Sequence, residues 1–150
     1  MPELRDDTHR SAMSSLGLIA IEIKLNDTAK IDESELYYGI SVTRPEPGPE
    51  GKLYFVCKLE CGKQIPDGER PAVSVEARYG CILDESVGDE ALQIAMTITR
   101  YSIWAKFSDM FMLITSQMGI EFPPLPTEPS GIEVAKLVIE DYEPNGQPSN

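Results

Sequence analysis

Hydrophobic and polar positions alternate along much of the first half of the chain. In Leu16-Gly-Leu-Ile-Ala-Ile-Glu-Ile-Lys-Leu25 a period of two puts Ile19, Ile21, Ile23 and Leu25 on one side and Glu22 and Lys24 on the other, as in a strand with one buried face. Leu36-Tyr-Tyr-Gly-Ile-Ser-Val-Thr43 repeats the pattern with Tyr38, Ile40 and Val42. A third run sets Leu53, Phe55, Cys57, Leu59 and Cys61 against Tyr54, Val56, Lys58 and Glu60; a fourth sets Val73, Val75, Ala77, Tyr79 and Cys81 against Ser74, Glu76, Arg78 and Gly80. Prolines and glycines in residues 44–51 cannot continue a ladder and predict a hairpin loop. The stretch 62–71 is long enough to join antiparallel neighbours. These runs predict a four-stranded antiparallel meander whose apolar face needs a cover.

Helical periodicity follows. Ser86 and Asp89 are placed as a capping oxygen and a first-turn acid, after which Leu92, Ala95, Met96 and Thr99 keep helical spacing. Ile103, Trp104, Phe107, Met110, Phe111, Ile114 and Met118 continue at steps of three and four until Gly119. One helix of about 30 residues would span roughly 45 Å, more than the width of four strands, so a kink or break is expected near Arg100 to Ser102. The class is therefore α+β: a sheet covered on one face by a long C-terminal helical segment. Beyond Gly119, prolines at 123, 124, 126 and 129 block regular structure while Ile120, Phe122 and Leu125 stay apolar, which reads as a lid. In residues 131–140, Ile132, Ala135 and Val138 or Ile139 have helical spacing, and the branched side chains leave a strand open. Residues 16–140 read as one domain between mobile tails, 1–15 and 141–150.

Composition narrows the function. With 25 acidic against 13 basic residues the net charge is -12, which repels nucleic acid and anionic lipid. No apolar run is long enough to cross a bilayer, and the first residues lack the apolar centre of a secretory signal, so a cytoplasmic protein is expected. Cys57, Cys61 and Cys81 lie on the inward side of predicted strands and read as buried, reduced thiols rather than a metal site. The single histidine, His9, falls in the tail, which removes a histidine-based triad. Asp84, Glu85, Asp89 and Glu90 gather at a predicted helix start, where they complement its dipole. Phosphate-loop, HExxH and Walker patterns do not occur. No enzyme, metal or cofactor is expected.

At the fourth strand and the helix end the chain resembles the SecB-like family of cytosolic export chaperones. Val75-Glu-Ala-Arg-Tyr-Gly-Cys-Ile-Leu83 looks like that family's last strand, and Ile114-Thr-Ser-Gln-Met-Gly-Ile-Glu-Phe-Pro123 like its helix end followed by Phe-Pro. The resemblance implies a subunit that pairs through sheet and helix into a dimer of dimers. It also implies apolar grooves that hold unfolded polypeptide without ATP, and a translocation motor as a further partner. The alternative on the same fold is a specialised adaptor for a single client. A groove that accepts varied sequences needs aromatic and thioether side chains. Trp104, Phe107, Phe111, Met112, Ile120, Phe122 and Leu125 are the candidates, although an aromatic stripe on a helix ordinarily packs the core. Met112 and Phe122 lie off that stripe.

Overall fold

The computed structural model describes residues 13–135. Most of the expected amino-terminal tail with His9, the second half of the stretch 131–140 and the carboxyl-terminal tail lie outside it. Among the described residues no helix is long and apolar enough to cross a membrane.

Strands β1 (Met13–Leu25), β2 (Glu35–Thr43), β3 (Glu46–Pro47), β4 (Leu53–Gln64), β5 (Pro71–Leu83) and β6 (Ile132–Ala135) form one sheet. Its order is β1-β5-β4-β2-β6, with the two-residue β3 beside β4. Strands β2, β4 and β5 are the expected antiparallel meander, but β1 does not neighbour β2. It crosses to pair antiparallel with β5, through a short 3-10 turn at Thr28–Glu33. The loop expected over residues 44–51 also gives up Glu46 and Pro47 to β3. The stretch after Gly131 resolves as strand: Ile132 to Ala135 pair parallel with Ile40 to Thr43, where branched side chains suit a pleated surface.

The helical layer comprises α1 (Ala91–Ile98) and α2 (Trp104–Met118), joined by one π-helical turn at Thr99–Ile103. Sequence length called for a kink or break near Arg100 to Ser102. The irregularity found there is a wide turn, and the reason lies in the stripe. Ile98 and Ile103 are five residues apart and both fully buried, a spacing that a single α-helix places on different faces. The expected cap is also different, since α1 starts at Ala91 with Glu90 in the cap position and no side-chain cap bond. A 3-10 turn at Glu85–Glu90 takes up the preceding residues. At the other end Gly119 closes α2 in the left-handed conformation (φ 75°), and the Ile120 N–H donates to the Thr115 carbonyl at 3.0 Å.

Phe55, Cys57, Leu59, Val75, Ala77 and Leu83 of the sheet pack under Ile98, Ile103, Trp104, Phe107 and Phe111 to form the core. Met13 and Leu16 at the start of β1 still pack against this core, but the cover stops short of the rest of the strand. A bulge between Leu18 and Ala20 moves Ile19 out of the row predicted for it; its side chain crosses to the outer face, over Gly80. Leu18 takes its place, because Leu18, Ile21, Ile23 and Leu25 pair with Tyr79, Ala77, Val75 and Val73 and so share the core face. That row was expected to be buried, yet the four side chains are 48%, 40%, 45% and 50% exposed. Tyr101, Met112 and Leu113 are exposed on the helices.

Two glycines test the register. A Cβ on Gly62 would fall inside contact distance of the Val73 carbonyl oxygen and 2.9 Å from Ser74 Cα, both backbone atoms, whereas a Cβ on Gly39 meets nothing within 4 Å. Gly62→Ala is expected to lose about 3 kcal/mol or more of unfolding free energy in urea titration. Gly39→Ala, on an exposed strand position, is expected to gain about 0.5 kcal/mol.

Candidate functional site

The seam between α2 and β2 holds a continuous run of rings. Trp104, Phe107 and Phe111 follow one another at steps of three and four, so they share the helix face turned to the sheet. Tyr38 of β2 meets Trp104 at 5.1 Å between ring centroids, Trp104 meets Phe107 at 5.9 Å, and Phe107 meets Phe111 at 5.8 Å. Phe122, beyond the helix end, closes the run with an edge-on contact to Phe111 at 4.8 Å.

The proline-rich segment roofs this seam. Phe122 and Leu125 are half-buried against the main core, and Ile120 and Phe122 also pack on Ile31, Ala72 and Val73. The segment's polar ties come from side chains. Trp104 Nε1 donates to the Pro126 carbonyl at 2.8 Å, and the Ser130 N–H donates to the Tyr38 hydroxyl at 3.2 Å. Lys63 Nζ sits 5.1 Å from the centre of the Phe122 ring.

The seven residues singled out in the sequence thus fall into three groups. Trp104, Phe107 and Phe111 are buried in the core, Trp104 being only 2% exposed. Ile120, Phe122 and Leu125 form the roof and are half-buried. Met112 alone is exposed, on the helix's outer side at 42%, away from the ring run. Sequence reasoning passed over Tyr38, Lys63 and the Gly131 end of the roof. Tyr38 carried a signal, an aromatic on the inward side of β2, but nothing local announced its pairing with Ser130.

The outer face of the sheet is charged. Glu22, Glu76 and Glu60 lie side by side across β1, β5 and β4. Each has its own donor: Lys24 at 3.7 Å, Arg78 at 3.4 Å and the Tyr37 hydroxyl at 2.6 Å. Burial, then the Glu60 hydrogen bond, pushes the Tyr37 phenol well above its usual range. The row borders an open concavity of about 390 Å³ that also includes Arg70. The carboxylates are thus held as an ordinary paired charge ladder on a solvated face.

All three cysteines are buried and free, as their inward positions required. Burial pushes each thiol from 9.0 up to about 12. Such thiols are poor nucleophiles and resist oxidation. Since the folded chain holds these protons more tightly than the unfolded one, the associated stability is fully present below pH 9 and lost progressively toward pH 12. The expected outcome is a melting temperature that falls steeply with pH in that window. Thiol reagents at neutral pH should label Cys57, Cys61 and Cys81 only at the rate of unfolding; fast labelling of the native chain would contradict the burial.

No protein-family model matches the sequence, and no curated protein matches it either. Among solved structures, the chain is similar to the Mycobacterium tuberculosis Rv1957 SecB-like chaperone in complex with a ChAD peptide from the Rv1956 HigA1 antitoxin. The likeness has a TM-score of 0.56 at 11% identity and covers 82% of this chain and 92% of that one. It shows the fold: a SecB-like arrangement of antiparallel sheet and long C-terminal helical segment, as the fourth strand and the helix end had indicated.

Proposed function

We propose that the chain is an ATP-independent chaperone that holds non-native polypeptide in the seam beside α2. The observation that carries this reading is the ring run from Tyr38 to Phe111, roofed by a segment without regular structure instead of by strand or helix. Apolar side chains that accept a partner by contact alone suit clients of varied sequence. The similar fold of a chaperone solved with a peptide supports a polypeptide as the ligand. That neighbour's peptide comes from one antitoxin, which favours a second reading, an adaptor for a single client. An export role and a motor partner rest on the sequence resemblance alone.

A subunit of this kind works as an oligomer, and the row Leu18, Ile21, Ile23 and Leu25 supports one. It lies on an edge strand whose outer hydrogen-bonding groups have no neighbour in the described sheet. A second copy would cover that row and complete the sheet. The outer helix residues Met112 and Leu113 offer a further contact.

Aggregation assays with several unrelated unfolded proteins test the function. Suppression of all of them at a few-fold molar excess is the expected result; no effect on any would overturn the general chaperone and leave only the single-client adaptor. Light scattering at tens of micromolar, enough to fill a standard interface, is expected to give a multimer. Ile21→Glu with Ile23→Glu should reduce it to a smaller species. A parent chain that scatters as a monomer would refute the oligomer.

A further inference from the structure

We propose that residues 120–130 occupy the place a client takes, and that the preferred clients are extended, donor-poor segments with an aromatic side chain followed three residues later by an aliphatic one. The inference deepens the holding function proposed above and rests on it. The segment runs antiparallel to α2: its start, Phe122, touches Phe111, and its middle, the Pro126 carbonyl, accepts from Trp104. Four steps of extended chain at about 3.1 Å cover roughly 12 Å. Seven helical steps from Phe111 back to Trp104, at about 1.5 Å each, cover roughly 10 Å. An extended peptide therefore keeps in step with the ring run, and Leu125 falls between the two anchor points.

What holds this segment is transferable to another chain. Among the described residues, the backbone of 121–130 makes no hydrogen bond to other backbone groups, the ladder of β6 starting at Ile132. Pro123, Pro124, Pro126 and Pro129 have no N–H to leave unpaired. Recognition comes down to a ring on Phe111, an aliphatic group on the core, a carbonyl on the Trp104 indole and an N–H on the Tyr38 hydroxyl. Lys63 over the first ring favours an aromatic side chain there over an aliphatic one.

The segment is also built to leave. Gly119 (φ 75°) and Gly131 (φ 73°) bracket it, with no atom within 4 Å of where their Cβ would be. Residues free to change φ and ψ at both ends let the roof swing out while α2 and β6 stay in place. A client must then displace the segment, and its observed affinity is reduced by the fraction of time the segment is seated.

The test measures binding of a fluorescent peptide copying residues 119–131, a version with leucine in place of its phenylalanine, and a scrambled version. The full chain is compared with Leu125→Ala, which removes one of the segment's own contacts and leaves the seam intact, and with Gly131→Ala, which strains the seated backbone only. Both variants are expected to bind the copy about three- to tenfold more tightly than the parent. The leucine version should bind more weakly than the copy, and the scramble should gain nothing. Each variant's thermal transition checks its folding, and if one fails to fold the other decides. Unchanged or weaker affinity in the folded variants, with the copy still bound, overturns the displacement and leaves the holding function intact. Equal binding of the leucine version overturns the stated preference. No binding of any peptide by any of the chains, together with no suppression of aggregation, overturns both this inference and the function beneath it.

Discussion

The sheet's apolar face is wider than the helical layer that covers it, and the rest of the structure follows from that mismatch. Apolar surface on one face of a sheet has to be packed against another layer. Helices α1 and α2 cover β4, β5 and β2. The π-helical turn keeps Ile98 and Ile103 on one face and so extends that cover without a break. Two margins are left. At β1 the row from Leu18 to Leu25 stays exposed, and at β2 the seam is sealed by an irregular segment held through Trp104 and Tyr38. In the proposed function the first margin is covered by a second copy and the second is the site that opens.

The charge ladder and the thiols lie away from both margins. The carboxylates Glu22, Glu76 and Glu60 sit on the opposite face, each paired with a donor. The thiols lie in the core as neutral groups, where burial disfavours their ionised form. The groups meeting at the seam are mainly rings and aliphatic side chains, with the Trp104 indole N–H, the Tyr38 hydroxyl, the Ser130 hydroxyl and Lys63 at its edges.

Strand identity was legible because alternation is a local signal. The inward residues of β4 and β5 were placed correctly from it, and their burial carries the three cysteines with them. Strand order was not legible, since pairing β1 with β5 instead of β2 joins residues far apart in the chain, from Leu25 with Val73 to Met13 with Leu83, and is decided by the shape of the whole sheet. The bulge at Ile19 was hidden for a similar reason: Leu18, Ile19 and Ile21 are all apolar, so composition does not say which one leaves the row. At the candidate site the sequence marked the helix stripe and the roof as separate sets of apolar residues. It could not foresee that the roof lies directly on the stripe, because the contacts Trp104 to Pro126 and Tyr38 to Ser130 join distant parts of the chain. Trp104, Phe107 and Phe111 are core residues in this structure, and in the proposed function they become a binding surface when the roof opens.

Trp104 is the only tryptophan, so its indole N–H gives a single isolated signal in a nitrogen-15 NMR spectrum of the labelled chain. In the closed state that proton is bonded to the Pro126 carbonyl. Titration with a permanently unfolded, reduced and alkylated protein measures directly whether polypeptide enters the seam. The account predicts that the indole signal shifts on binding and gains Overhauser contacts to client side chains. A client that binds while the indole signal keeps its position and its contacts to residues 122–126 would contradict it.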